Sequence, residues 1–411
     1  MKILAVCQYY YPEQVRFTDI CEELVRRGHE VLVITGLPNY PMGRIFDGYR
    51  HGEKRDEVIR GVRVHRCFTI GRRHGILYRV LNYYSFAISS ERYAKKLKEQ
   101  FDLVLVNQLS PIMMAQAGIA YQKKHHVPLV MYTLDLWPES LTVGGIRRGS
   151  LIYQHYHKIS EKIYRQANRI LVTSPAFSDY LKEEFGIEDT QYLPQYAETM
   201  FDAEECRKEP DGQINLVFAG NIGTMQSVET IIQAARLTQD VDNLTWHIVG
   251  DGVEYEKIKM LAEGMDHVII HGRKPLEEMP AYYRMADAML VTMKKNPIIS
   301  YTLPGKVPTY LAAGKPILGA VDGETQRLIG EAGCGFCADA EDAEGLAAYA
   351  RQLIQCEDRE QMGKNAVTYY QEKFSKQHFF DSLEKCLGEF VNEIPDDQQR
   401  LRNREYGAYL H

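Results

Sequence analysis

Short apolar runs alternate with stretches of helical period along almost the whole chain. KILAVCQ, EVLVITG, VRVHRC, DLVLVN, VPLVMYT and NRILVTS read as strands in the first half, and INLVFAG, LTWHIVG, HVIIHG, DAMLVTM and KPILGA in the second. Between them lie helical patterns such as DICEELVRRG and SVETIIQAARL. Strands that are apolar on both faces need cover on both faces, so this alternation predicts parallel sheets flanked by helices. The pattern lapses over residues 190–212, and 411 residues exceed one ordinary core. The expected fold is α/β, with two doubly wound Rossmann-like domains at 1–195 and 196–374. A C-terminal helix and tail, 375–411, could cross back to the first domain. In such domains ligands bind at the carboxyl ends of the strands, where strand order reverses, so two of them would set their binding edges on opposite sides of a central cleft.

No run reaches the roughly 18 apolar residues of a membrane span. The opening MKILAVCQYYYPE lacks the apolar length and ending of a signal peptide and reads as a first strand, so the expected compartment is the cytoplasm. Eight scattered cysteines suit reduced thiols. The lone C-x-x-C, Cys334 and Cys337, reads as strand filling rather than a zinc or redox site. The net charge of −6 hides an asymmetry: residues 1–195 hold 27 Lys+Arg against 20 Asp+Glu, so the first half is basic and the second acidic. A basic half suggests an anionic partner, with nucleic acid and an anionic lipid surface as the two candidates.

Four strand-to-helix turns could hold a ligand. Gly220, Asn221, Ile222 and Gly223, then Gln226, follow INLVFAG. Gly250, Asp251 and Gly252 follow LTWHIV, Arg273 and Lys274 follow HVIIHG, and Pro304, Gly305 and Lys306 open a short helix. Glycines let a ligand approach the backbone, and helix N-termini with cations suit phosphate. Each turn alone is ordinary punctuation; together, on one edge, they point to a phosphate-bearing ligand. No G-x-G-x-x-G follows a strand and no G-x-x-x-x-G-K-[ST] is present, which disfavours a nicotinamide dehydrogenase and a P-loop ATPase.

The order FAGNIG, IVGDG, HGRKP, ADAMLVTM and LPGKVPTYLAAGKPIL is similar to the donor domain of retaining glycosyltransferases of family 4, which have the GT-B fold. In the first half, YYYPEQVRFTDICEELVRRGHEVLVITGLPNYPMG and LDLWPES resemble the bacterial branch that builds capsule, O-antigen and exopolysaccharide. The resemblance implies transfer of a hexosyl or N-acetylhexosaminyl group from a nucleotide-sugar, by family analogy a UDP-sugar, to a lipid-linked or saccharide acceptor. It implies no cofactor and no metal, and we find no D-x-D in the strands facing the expected cleft. The acceptor's proton would pass to substrate phosphate as the bond breaks on the same face.

The chain departs from the family where it matters. The Arg and Lys of the family's first donor turn are Asn221 and Gln226 here, and its pair of glutamates falls on Tyr301 and Thr309. Lys306 then becomes the expected countercharge for the diphosphate, with Thr309, one turn on, offering a hydroxyl to the ribose. A lysine at a helix start opposes the helix dipole, which weighs against its being a plain solvated residue. The family's first-domain histidine falls on Asp135, expected either to act on the acceptor hydroxyl or to cap the turn before Trp137. Glu13 is a further catalytic candidate, or a helix cap, and Arg16, Asn39 and Tyr40 are candidates for acceptor binding. Two rivals remain: a catalytically inactive subunit that regulates a partner transferase, and a sugar-nucleotide 2-epimerase.

Residues 71–98, GRRHGILYRVLNYYSFAISSERYAKKLK, carry Ile76, Leu77, Val80, Leu81, Tyr84, Ala87 and Ile88 at helical spacing among seven Lys and Arg. Packing alone would turn that stripe onto the sheet. The resemblance, through its polyprenyl-diphosphate-linked acceptors, favours a helix lying on the inner face of the cytoplasmic membrane. Nucleic acid finds no recognised motif here.

Overall fold

The computed structural model describes residues 1–392 except 74 and 210. Two compact units form. The first comprises Met1–Thr173, Ser178–Tyr192 and the chain from Ser382; the second comprises Ser174–Phe177 and Leu193–Asp381.

The first unit is built on an eight-stranded sheet: β1 (Lys2–Val6), β2 (Glu30–Gly36), β3 (Asp56–Ile59), β4 (Val62–Cys67), β5 (Leu103–Gln108), β6 (Leu129–Thr133), β7 (Arg169–Val172) and β8 (Thr190–Tyr192), in the order β3-β4-β2-β1-β5-β6-β7-β8. All neighbours are parallel except the β3–β4 hairpin. Strands β5 and β6 are buried along their whole length, which is why their sequences show no alternation. At the edge, β3 alternates exposed and half-buried residues instead. The final helix, Lys376–Asn392, enters this unit from Ser382 onward, where Glu384 pairs with Arg27 at 2.8 Å and His29 at 2.7 Å.

A six-stranded, wholly parallel sheet forms the second unit: β9 (Ile214–Ala219), β10 (Leu244–Val249), β11 (Val268–Gly272), β12 (Ala288–Thr292), β13 (Ile317–Ala320) and β14 (Gly335–Ala338). Its order, β11-β10-β9-β12-β13-β14, is the 3-2-1-4-5-6 arrangement of a Rossmann domain. Without edge strands β3 and β8, the first sheet has the same order. Successive residues of β9 feed opposite cores: Leu216 and Phe218 join Trp246 and Leu290 on one face, Val217 and Ala219 join Met289 and Tyr310 on the other. The crevice where strand order reverses lies between β1 and β5 in one unit and between β9 and β12 in the other.

Two expectations are corrected. The stretch 190–212 is not wholly irregular, because Thr190–Tyr192 adds β8 to the first sheet. The apolar stripe of the Ile76–Lys96 helix does not face the sheet. Tyr83, Phe86, Ala87, Ser90 and Ala94 form the packed face, while Ile76 (82% exposed), Leu77, Val80, Leu81 and Ile88 lie open. Ala87 alone of the stripe is buried. Cys334 and Cys337 are free thiols, and Cys337 Sγ lies 3.6 Å from the Val321 carbonyl at the end of β13.

Candidate functional site

In the second unit, the loops after β9, β10 and β11 enclose a pocket of about 520 Å³. Gly220, Asn221, Asp251 and Arg273 line it together with Lys306 and Thr309 of the Lys306–Ala312 helix, and Phe201, Met279 and Tyr283 supply an apolar wall.

The loops are laced to one another through the backbone. Gly220 N–H donates to Val249 O at 2.9 Å, Ile222 N–H to Asp251 O at 2.8 Å, and Gly250 N–H to Gly272 O at 2.9 Å. Gly252 N–H donates to the Asp251 carboxylate at 2.7 Å. This close approach demands glycine: a Cβ on Gly250 (φ +150°) would lie 1.8 Å from the Gly220 carbonyl oxygen.

The lacing corrects the expected role of these turns. The N–H groups of Gly220, Ile222, Gly250 and Gly252 are paired within the protein, although Gly220, Gly250 and Gly252 still line the pocket. Ile222 is fully buried in the core. Gln226 turns away from the pocket: Asn221 Nδ2 donates to its side-chain oxygen at 3.3 Å, and its carbonyl accepts the Thr292 hydroxyl. Gly223 leaves room for that pairing, since a Cβ there would lie 2.5 Å from Asn221 Nδ2. Pro304 and Gly305 start the helix at the pocket, Pro304 O accepting Val307 N–H, without lining it. Tyr301 does not line the pocket; Thr309, 6% exposed, does.

What the pocket holds for an anion is Lys306. Its Nζ is shut off from solvent with no hydrogen-bond partner, and sits 3.7 Å from the centroid of the Phe218 ring. Gly220 makes room for it, since a Cβ there would come within 3.2 Å of Nζ. Burial lowers its pKa from 10.5 to about 7. A cation held against an aromatic face without a carboxylate is an uncompensated charge awaiting a partner. Arg273, exposed at the rim, adds a second positive charge. The sequence marked Lys306 but gave no sign of Phe218 as its seat: an aromatic in a buried strand reads as core.

In the first unit, Glu13 neither caps its helix, whose N-cap is Val15, nor presents a free carboxylate. One oxygen accepts the N–H of Asn39 at 2.8 Å and of Tyr40 at 2.7 Å, the other the N–H of Tyr10 at 3.2 Å. Burial pushes its carboxyl up to about 7, against those three donors and the charge of Arg66. Glu13 thus clamps the loops after β1 and β2 together. Asn39 is buried and committed as well: its Nδ2 donates to Leu37 O at 2.9 Å, and its Oδ1 accepts the Arg72 N–H at 3.0 Å and Asn82 Nδ2 at 3.3 Å. Tyr40, 49% exposed, remains accessible, its ring 5.7 Å from that of Tyr9. Arg16 opens the Arg16–Arg26 helix, its charge reaching Tyr132 of β6.

Asp135 stands at the carboxyl end of β6. It accepts the N–H of Ser110, after β5, at 3.1 Å, so it bridges two strand ends rather than capping its own turn. Ser110 Oγ in turn accepts Trp137 Nε1 at 2.7 Å. Burial raises the Asp135 pKa, opposed by Ser110. Asp135→Asn keeps an acceptor for Ser110. If Asp135 acts on the reaction, this variant should melt within a degree or two of the native protein and lose transfer by roughly 100-fold or more, a typical figure for one transition-state contact; equal loss of stability and activity would make it structural.

Two Rossmann units, one with a pocket at its strand ends, form the GT-B architecture, and solved structures share this fold. Sucrose-phosphate synthase from Thermosynechococcus elongatus matches with a TM-score of 0.72 at 15% identity, over 94% of this chain and 98% of that one. HepE of Anabaena, solved in complex with UDP, matches with a TM-score of 0.70 at 15% identity, over 95% and 100%. The family model for glycosyl transferases group 1 matches residues 202–368, and that for the glycosyl transferase 4-like domain matches residues 14–194. Between them they take in most of both units, and the chain belongs to the family 4 glycosyltransferases. WcaI of Escherichia coli (strain K12), described as a glycosyl transferase of colanic acid biosynthesis, is 24% identical over 86% of this chain and 92% of its own length. WbjE of Pseudomonas aeruginosa, described as a glycosyltransferase, is 25% identical over 65% and 72%.

Proposed function

We propose that this glycosyltransferase takes a hexosyl or N-acetylhexosaminyl group from a UDP-sugar. It transfers that group without a metal, with retention of configuration, to a lipid-linked or saccharide acceptor in bacterial surface-polysaccharide assembly. The observation that carries the reading is Lys306: a buried, unpartnered ammonium at the strand-order reversal of the second unit, placed for the negative charge of a departing nucleoside diphosphate. Arg273 assists at the rim, and Thr309 offers its hydroxyl to the ribose. Asp135 holds the acceptor hydroxyl or favours the oxocarbenium-like charge of the transition state. A diphosphate bound and UDP-glucose bound in HepE support the donor class, and the colanic acid description of WcaI supports the pathway class.

The test is turnover of UDP-sugars with a lipid-linked saccharide acceptor, followed by NMR of the product's anomeric proton. A retained anomer establishes the reading; an inverted one removes it. A second reading, the inactive regulatory subunit, draws on Tyr301 and Thr309 standing where the family has glutamates, and UDP binding without any product would favour it. Conversion of donor without acceptor would mark an epimerase.

The reading places the enzyme on the inner face of the cytoplasmic membrane. No described helix is long and apolar enough to cross a membrane. The open stripe of the Ile76–Lys96 helix is joined to the Leu151–Tyr164 helix by a 3.1 Å contact between the Tyr84 and Tyr156 hydroxyls, and Leu151 and Ile152 there are 85% and 56% exposed. Residues 71–90 and 140–160 contain no Asp or Glu. Apolar side chains with Arg73, Arg79 and Lys158 among them suit an anionic bilayer, while Arg148 is paired with Glu139. Vesicles containing anionic lipid should carry the protein in flotation, less so as salt rises. Leu77→Glu should abolish flotation while leaving the melting temperature unchanged. No binding at physiological salt would remove the membrane role.

A further inference from the structure

Among the described residues Arg72 enters no ion pair. Its guanidinium lies 5.6 Å from the centroid of the Tyr83 ring and beside the hydroxyl of Tyr9. That hydroxyl is itself buried without a hydrogen bond of good geometry, and the Tyr9 side chain is 94% buried. The mount is rigid. Arg72 N–H is held by Asn39, Asn39 by Asn82, and Asn82 accepts Gln8 Nε2 at 2.7 Å, so the loops after β1, β2 and β4 meet in one polar network. Tyr83 also feels the charges of Arg79 and Asp135. A guanidinium without an ion pair and a buried phenol thus lie together beside the Tyr83 ring, on which the charge of Asp135 also bears.

A half-buried guanidinium costs desolvation that no carboxylate offsets here. A phosphate would offset it: its oxygens accept two parallel Arg N–H bonds and the Tyr9 O–H. Four residues beyond Arg72 begins the open apolar run of Ile76, Leu77, Val80 and Leu81. A charged seat beside an apolar surface fits a phosphate carried on a hydrocarbon chain.

We propose that Arg72, flanked by Tyr9 and Tyr83, seats the phosphate or diphosphate of the acceptor. This deepens the acceptor assignment above and rests on it. In this role Arg72 positions the acceptor and touches no reacting atom.

Calorimetric titration of farnesyl diphosphate, farnesol and inorganic pyrophosphate tests the seat directly. The full chain should carry Lys306→Met, so that the pocket of the second unit does not compete. Farnesyl diphosphate should bind, and adding Arg72→Met should weaken it about tenfold or more, the usual cost of losing a charged hydrogen-bonding partner. Tyr9→Phe should weaken it several-fold, and Arg72→Lys should fall between. Farnesol should be unaffected by any of them. Tighter binding of farnesyl diphosphate than of pyrophosphate identifies a lipid-borne phosphate; equal binding with the same dependence on Arg72 identifies a free one. Unchanged affinity in Arg72→Met, in a protein that melts normally, overturns the proposal. The outcome is independent of turnover. A chain that seats farnesyl diphosphate on Arg72 but never consumes a donor keeps this site and loses the transferase reading. A chain that glycosylates a diphosphate-linked acceptor at an unchanged KM in Arg72→Met does the reverse.

Discussion

Lys306→Met should melt higher than the native protein in the absence of ligand, and should respond far less to UDP. The native fold holds this amine at a pKa of about 7, against 10.5 ordinarily, because burial disfavours its charge. Between those values the unfolded chain binds a proton that the native chain does not, so stability rises with pH across the window. The destabilisation is largest below pH 7, on the order of a few kcal/mol. Methionine fills the same space over Phe218 with a favourable sulfur–aromatic contact and no charge. The melting-temperature advantage of the variant should therefore be several degrees at pH 6 to 7 and should shrink toward pH 10. Ligand reverses the preference. A diphosphate restores the ammonium, so above about pH 7 each UDP bound takes up a proton, and affinity should fall by about tenfold per pH unit. In Lys306→Met that pH dependence should vanish and affinity should drop by roughly 10- to 100-fold. Thermal shifts with UDP, GDP, ADP and CMP, then calorimetry in buffers of different ionisation heat, measure all of this. A variant with native UDP affinity would end the assignment of Lys306 as the diphosphate site.

Glu13→Ala should strongly destabilise the first unit. It strands three N–H donors, those of Tyr10, Asn39 and Tyr40, in a buried loop junction. Each unsatisfied donor costs about 1–3 kcal/mol, and with partial relaxation the sum should come to about 3–5 kcal/mol. Glu13→Gln should lose less, because its remaining carbonyl oxygen can serve Asn39 and Tyr40 while its amide faces Tyr10 donor to donor. Urea denaturation gives the stabilities, and UDP affinity, a property of the second unit, should be unchanged in both. Glu13→Ala that is as stable as the native chain yet inactive would return Glu13 to the catalytic group.

The same two residues show how far the sequence speaks. Strand positions were legible because parallel strands buried on both faces, such as β5 and β6, have no choice but continuous apolar residues. The short edge strands β3 and β8 were not, since Asp56–Ile59 and Thr190–Tyr192 bury too little to leave a pattern. Lys306 was legible as an anomaly of charge at a helix start. Glu13 was visible as a carboxylate after a strand, but its three partners come from two loops, and only the fold brings them together. The glycines of the donor turns announced tight turns correctly, yet whether their N–H groups face a ligand or another loop is a matter of hydrogen-bond pairing that spacing does not encode. The stripe of the Ile76–Lys96 helix was read correctly as apolar and helical; the periodicity could not say that Tyr83, Phe86 and Ser90 would take the packed face instead.

With the N–H groups of Gly220, Ile222, Gly250 and Gly252 already committed, the proposed recognition of charge in this pocket rests on a side chain rather than on those main-chain groups. A binding site written into the backbone survives most substitutions, because every residue brings the same N–H. One written into a single lysine is a genetic toggle: one codon change removes the charge, relieves the buried amine and leaves a more stable protein of the same shape. Duplicated copies of such a chain would have a downhill route from enzyme to inert scaffold, and the sites that resist this drift are the ones where selection still acts on transfer.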